Sequence, residues 1–176
     1  MNTILKGAVF SCPRPLSHGQ ECEVWRASAR WPGNPKPGND CVLKFFSRRA
    51  RTLYLKELDA YDHLKKTCAP FRFPTPFGYD EWMQAKYVKF YGRAGNHHLK
   101  ADPEAMIDVL MWEYIPHSTR LSELVPIPVN IAKRALSRLL ELHSVNIMHG
   151  NVSLSNALLL VDHDSSNVLW IDFTYS

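Results

Sequence analysis

The polar and apolar positions along the chain predict two amphipathic helices set among short strands. Val24 and Trp25 follow a polar turn at Ser17-His18-Gly19-Gln20, and Cys41 to Phe46 is a short apolar and aromatic run of strand type. Between them, Trp31 to Asp40 is broken by prolines and glycines that hold neither a strand nor a helix interior, which predicts an elongated surface loop. From about Arg49 to Lys66 the period becomes helical. Leu53, Tyr54, Leu58, Tyr61 and Leu64 line one face, and Lys56, Asp59, Asp62 and Lys66 the other. Pro70, Pro74 and Pro76 stop that helix and lead into an irregular, aromatic-rich region reaching His98. Val109 to Ile115 reads as a mostly buried strand closed by Pro116.

A second helix is predicted over Val129 to His143, with Ala132, Ala135, Leu136, Leu139 and Leu140 as its apolar stripe. Two apolar runs follow, Ala157 to Val161 and Val168 to Phe173, separated by the six polar residues 162–167; together they predict a hairpin. No internal repeat interrupts this order. Composition adds bounds: 176 residues, 45% hydrophobic and 22% charged, describe a globular chain of one domain. A net charge of +4 is too mild for a nucleic-acid stripe. No run approaches the ~18 apolar residues of a membrane helix, so a soluble, cytoplasmic protein is expected. The four cysteines, Cys12, Cys22, Cys41 and Cys68, contain no Cys-x-x-Cys and are expected as reduced thiols.

Three features carry candidate chemistry. Glu57 falls inside the apolar stripe of the first helix. Either it sits at the stripe's edge and reaches water, or it is buried and needs a cation, for which Lys44 near the end of the preceding strand is the candidate. His149-Gly150-Asn151-Val152-Ser153-Leu154-Ser155-Asn156 packs polar groups into the loop after the second helix. Asp172 is the one acid in an otherwise apolar strand. His97-His98 and Arg48-Arg49-Arg51 read as solvated surface.

In order and spacing these features resemble the eukaryotic-type protein kinases and their kinase-like relatives. Cys41-Val42-Leu43-Lys44 is similar to the Val-Ala-Ile-Lys strand, Glu57 to the ion-pairing glutamate, His149-Gly150-Asn151 with Asn156 to the catalytic loop, and Asp172-Phe173-Thr174 to the Asp-Phe-Gly triplet. The resemblance implies an α+β fold. Residues 1–116 would form an N-lobe of antiparallel sheet plus one helix, with the hinge, and 117–176 a truncated C-lobe. It also implies an ATP and magnesium cleft: Gly19, Val24, Lys44, Glu57, Glu113 and Ile115 toward the nucleotide, Trp112 as gatekeeper, Asn156 and Asp172 toward the metal.

The departures point away from phosphoryl transfer. Only Gly19 survives of the glycine loop. Asn151 replaces the catalytic aspartate, and an amide cannot take the proton whose removal is worth about 10²- to 10⁴-fold. His149 is read as a structural histidine, with acid or base work as the alternative. After the triplet only Tyr175 and Ser176 remain, so the second helix is expected to lack part of its usual cover and to be buried by a homodimer or a protein partner. The expectation is a pseudoenzyme that acts by binding or allostery. The alternatives are a weak phosphotransferase, a scaffold turned to small-molecule chemistry, and an interaction module that holds no nucleotide.

Overall fold

The computed structural model describes residues 8–19, 21–30, 39–67, 74, 76–84, 90–92, 95–97, 105–162 and 165–176. Two compact units divide the chain: residues 1–54 with 75–114, and residues 55–74 with 115–176. The stretch 55–74, expected with the first region, thus clusters with the second.

The first unit is a seven-stranded sheet. Its strands are β1 (Val9–His18), β2 (Cys22–Arg30), β3 (Asn39–Ser47), β4 (Pro76–Gln84), β5 (Phe90–Gly92), β6 (Gly95–His97) and β7 (Met106–Glu113). They lie in the order β4-β7-β3-β2-β1-β5-β6. The pairs β1 with β2, β2 with β3, β3 with β7 and β4 with β7 are antiparallel, and β1 with β5 is parallel. Alternation along the central strands sorts side chains to two faces. One face carries Trp25, Ala27 and Ala29, Cys41, Leu43 and Phe45, and Ile107, Val109 and Met111, which form one buried cluster with Phe10. Cys41 donates its thiol to the Ala27 carbonyl at 3.3 Å, and burial pushes its pKa up to about 12, so it is an inert core thiol.

The second unit holds a three-stranded sheet, β8 (Ser118–Arg120), β9 (Ala157–Asp162) and β10 (Ser165–Trp170), in the order β10-β9-β8. Helix α2 (Val129–Ser144) packs on β10, where the Trp170 indole N–H donates to the Ala135 carbonyl at 3.0 Å. Helix α1 (Arg51–Lys66) starts in the first unit and runs from Leu55 onward in the second.

Both helices match their sequence periods to within two residues at either end, but several other elements do not. Strand β1 was not expected, because Pro13 and Pro15 argue against one. The ladder tolerates them because the register slips between Ser11 and Arg14 and again between Pro15 and Ser17, so the prolines fall at irregularities. The region read as irregular contributes β4, β5 and β6. Strand β7 starts three residues early, at Met106, and ends at Glu113; lying between β3 and β4 it is buried on both faces, so Asp108 enters it. Asp108 is matched by Arg51, whose Nη1 lies 2.9 Å from both carboxylate oxygens.

The predicted hairpin is present, but its strands extend through Asp162 and from Ser165, which pair with each other. Backbone ladder bonds need no apolar side chain, so Ser165, Ser166 and Asn167 join β10, and Ile171 to Phe173 fall outside it. The stripe of α2 is also rotated. Ile131, Ala135 and Leu142 are buried, whereas Ala132, Leu136 and Leu140 are exposed. The loop 31–38, His98, Cys68 and the tip of the hairpin at 163–164 lie outside the described residues.

Candidate functional site

In the first unit the face of the sheet opposite the main core carries two of the candidate nucleotide residues, Val24 and Lys44. Val24, Lys44 and Leu110 stand side by side across β2, β3 and β7, with Val42 opposite Trp112 one step along. Lys44 is a charged side chain on a central strand and is 6% exposed; its Nζ lies 5.1 Å from the Phe46 ring centroid, within cation–π range. Val24 is half-buried and Trp112 buried.

Gly19 closes the turn between β1 and β2, where its N–H donates to the Cys22 carbonyl at 2.9 Å. That donor is already engaged within the turn, so the turn does not offer it to a phosphate. Glu113 ends β7 opposite Cys41 and is half-buried. The next residue, Tyr114, donates its N–H to the Asp40 carbonyl at 3.2 Å and lies under the Arg26 guanidinium, 3.8 Å from the ring centroid.

In the second unit Ile115 is buried with Leu160 and Leu169, and Ser118 donates its hydroxyl to the Ile115 carbonyl at 2.9 Å. The polar loop after α2 is held by His149, which is 1% exposed. Its Nε2 donates to the Ile171 carbonyl at 2.9 Å, which places the proton there and leaves Nδ1 to accept from the Asn151 N–H at 3.4 Å. The ring sits against Trp170 and Phe173, at centroid distances of 5.2 and 4.9 Å. Burial lowers its pKa below the ordinary 6.5 despite the opposing Ile171 bond and Asp172 charge. A neutral imidazole with both nitrogens engaged this way ties the loop to the segment before Asp172.

Asn156 is drawn to the same place. Ser153 caps a short 3-10 turn over Leu154–Asn156 by accepting from the Ser155 N–H at 3.2 Å. Asn156 donates Nδ2 to the Asn151 carbonyl at 3.1 Å, and its own carbonyl accepts from the Ile171 N–H at 2.9 Å. With Nδ2 engaged, the amide oxygen is the free end of that side chain. Asn151, Asn156 and the residue before Asp172 are therefore joined by hydrogen bonds, and the two metal candidates come from adjoining backbone. Oxygen from an amide and a carboxylate is the hard donor set that magnesium takes. Among the described residues no group of three or more His, Cys, Asp or Glu could hold a metal, so these two would have to be completed by water or phosphate.

Asp172 itself has φ 69°, the left-handed region that aspartate tolerates better than most residues. Phe173 is buried between His149 and Tyr61, whose ring meets it edge-on at 5.2 Å. Thr174 contacts two acids of this unit: its Oγ1 lies 3.2 Å from Glu57 Oε2 and within hydrogen-bond contact of Asp172 Oδ1. Glu57 is 2% exposed, which decides between its two sequence readings in favour of burial. Tyr61, fully buried beside them, has its phenol pushed well above 10 by burial and then by the charges of Glu57 and Asp172. Lys44 belongs to the first unit and Glu57 to the second.

Solved structures share the fold of this chain. A double mutant of the kinase domain of Mycobacterium tuberculosis PknI matches 97% of this chain, at 16% sequence identity and a TM-score of 0.52. The chain has a protein-kinase-like fold. It covers 61% of that kinase domain. A second double mutant of the same domain matches at 15% identity, a TM-score of 0.49 and 63% of its length. No protein-family model matches the sequence, and no curated protein does. The α+β architecture, an antiparallel N-lobe-like sheet followed by a partial C-lobe, is thus the one that the strand, loop and triplet motifs implied. Among the described residues no helix is long and apolar enough to cross a membrane.

Sequence reasoning missed two residues of the second unit. Gly150 has φ 67°, and a Cβ there would lie 2.1 Å from the Tyr175 carbonyl oxygen, so only glycine lets the two segments meet. Thr174 was read as the third triplet position and nothing more. A branched hydroxyl where the family has a bare glycine was the signal.

Proposed function

We propose that this chain is a nucleotide-binding pseudoenzyme of protein-kinase-like fold, which takes ATP with magnesium and acts through binding or allostery. Each unit carries its own candidates: in the first, Lys44 is read as the phosphate residue and Val24, Leu110 and Glu113 as base residues, and in the second Ile115 is a further base candidate. Within the second unit Asn156 and Asp172 are read as the metal residues. What supports binding above all is the hydrogen-bonded convergence of Asn151, Asn156 and Ile171-Asp172, which presents an amide oxygen and a carboxylate from adjoining backbone. What argues against phosphoryl transfer is Asn151, whose amide has no basicity, and the turn at Gly19, whose N–H is already bonded to Cys22. When bound, magnesium would neutralise phosphate charge.

Thermal melting with ATP, with and without magnesium, tests the reading beside Lys44→Ala and Asp172→Ala. Ligand at 100 times its dissociation constant stabilises by about 2.7 kcal/mol, and a magnesium-dependent shift lost in both variants is the expected result. No shift at saturating nucleotide overturns it. Asn151→Asp separates the pseudoenzyme from a weak phosphotransferase: transfer activity that appears with the carboxylate means that only the base was lacking.

A second reading, action through a protein partner or a second copy, is favoured by one observation. Val129, Leu136 and Leu140 are exposed along one side of α2, at 70%, 57% and 58%. A chain that stays monomeric in light scattering at high concentration counts against the homodimer.

A further inference from the structure

Thr174 supplies one proton to two acids. Its hydroxyl contacts Asp172 Oδ1 and Glu57 Oε2, the latter at 3.2 Å across 117 residues of sequence. A threonine hydroxyl donates a single hydrogen bond at a time and accepts others. Two carboxylates in reach of that one hydrogen are therefore coupled, and whichever accepts it is favoured as the anion. Thr174 and Glu57 are buried, at 4% and 2% exposure, so water does not replace the hydroxyl cheaply. Neither glycine nor valine at position 174 could make this connection.

We infer that Thr174 is a positioning residue whose hydroxyl links Glu57 to Asp172 and so orients the metal-binding carboxylate. The functional half of this inference rests on the nucleotide and magnesium reading above; the link itself does not. Hydrogen bonds that orient a ligating carboxylate typically change metal affinity by about 10- to 100-fold when removed.

The link is tested on the full chain without ligand, by a double-mutant cycle of Thr174→Val and Glu57→Ala read by thermal melting. The expected result is a double variant whose melting loss is clearly smaller than the sum of the two single losses. Additive losses overturn the link. If Glu57→Ala does not fold, Glu57→Gln takes its place in the cycle.

The metal consequence is read as the magnesium midpoint of the thermal shift at saturating ATP. Thr174→Val should raise that midpoint about 10- to 100-fold, and Thr174→Ser, which keeps the hydroxyl, should restore the wild-type midpoint. A midpoint unmoved by valine, or serine as weak as valine, overturns the positioning role. A wild-type chain that ignores ATP and magnesium overturns the nucleotide reading instead, and the ligand-free cycle then decides the link alone.

Discussion

Helices α1 and α2 are each 16 residues long, and they break the rule of an apolar buried face in opposite senses. In α1 a carboxylate, Glu57, is buried to 2% exposure, while in α2 two leucines, Leu136 and Leu140, stand 57% and 58% exposed. The first departure is answered inside the molecule, because the Thr174 hydroxyl lies 3.2 Å from the Glu57 carboxylate, in hydrogen-bond reach of it and of Asp172. The second is left open at the surface, since the buried side of α2 uses Ile131, Ala135 and Leu142. A buried charge without partners would cost several kcal/mol, whereas an exposed leucine costs only the burial it forgoes. Polar burial is thus a strict demand on the fold, and apolar exposure a weak one that a partner could relieve.

Four experiments sharpen the contrast between a closed interior and an open surface. The largest effect is expected at Gly150, where the loop after α2 meets the Tyr175 carbonyl. Alanine there adds a Cβ 2.1 Å from that oxygen in a left-handed backbone. Strain and overpacking of about 1–3 kcal/mol each predict an unfolding free energy reduced by several kcal/mol in urea denaturation. A loss within error would mean that the segment does not close on the loop. Glu57→Ala comes next, with an expected loss of about 2–3 kcal/mol for a hydrogen bond to a charged group.

The third effect is a pH dependence. His149 is held neutral in the folded protein by burial, with its pKa below 6.5, whereas in the unfolded chain it takes a proton near that value. Above it both states are neutral, and the histidine adds no slope. As pH falls through about 6.5 the unfolded state binds the proton first, so stability drops until the lower folded pKa is reached. Melting curves across this range should fall less steeply for His149→Asn than for the wild type; equal slopes would reject the assignment. The smallest effect belongs to α2: Leu140→Lys should change stability by less than about 0.5 kcal/mol. A larger loss would show that the open face is covered in the folded chain.

Much of the site was legible in sequence order. Glu57 and Asp172 stand out as acids in apolar stretches, Lys44 as the candidate cation for Glu57, and His149, Asn151 and Asn156 as parts of one polar loop; of these Lys44, Glu57, His149 and Asn156 are buried. The two helices were legible because a period of 3.6 over sixteen residues is strong and local. The strands were less so. Pro13 and Pro15 hid β1, since only the register slips of the β1–β2 ladder show why they are tolerated. Ser165 to Asn167 hid the start of β10, because a paired backbone does not reveal itself in polar side chains.

The sequence by itself therefore determined the two helices, the hairpin after the second of them, the kinase-like spacing of the candidate residues and the loss of a basic group at Asn151, all of which are local or linear properties of the chain. Tertiary structure alone decided which side of α2 is buried, that Gly150 must admit the Tyr175 carbonyl, and that one threonine hydroxyl joins Glu57 to Asp172. These depend on residues up to 117 positions apart, and no periodicity or propensity encodes which distant side chain will fill a given space.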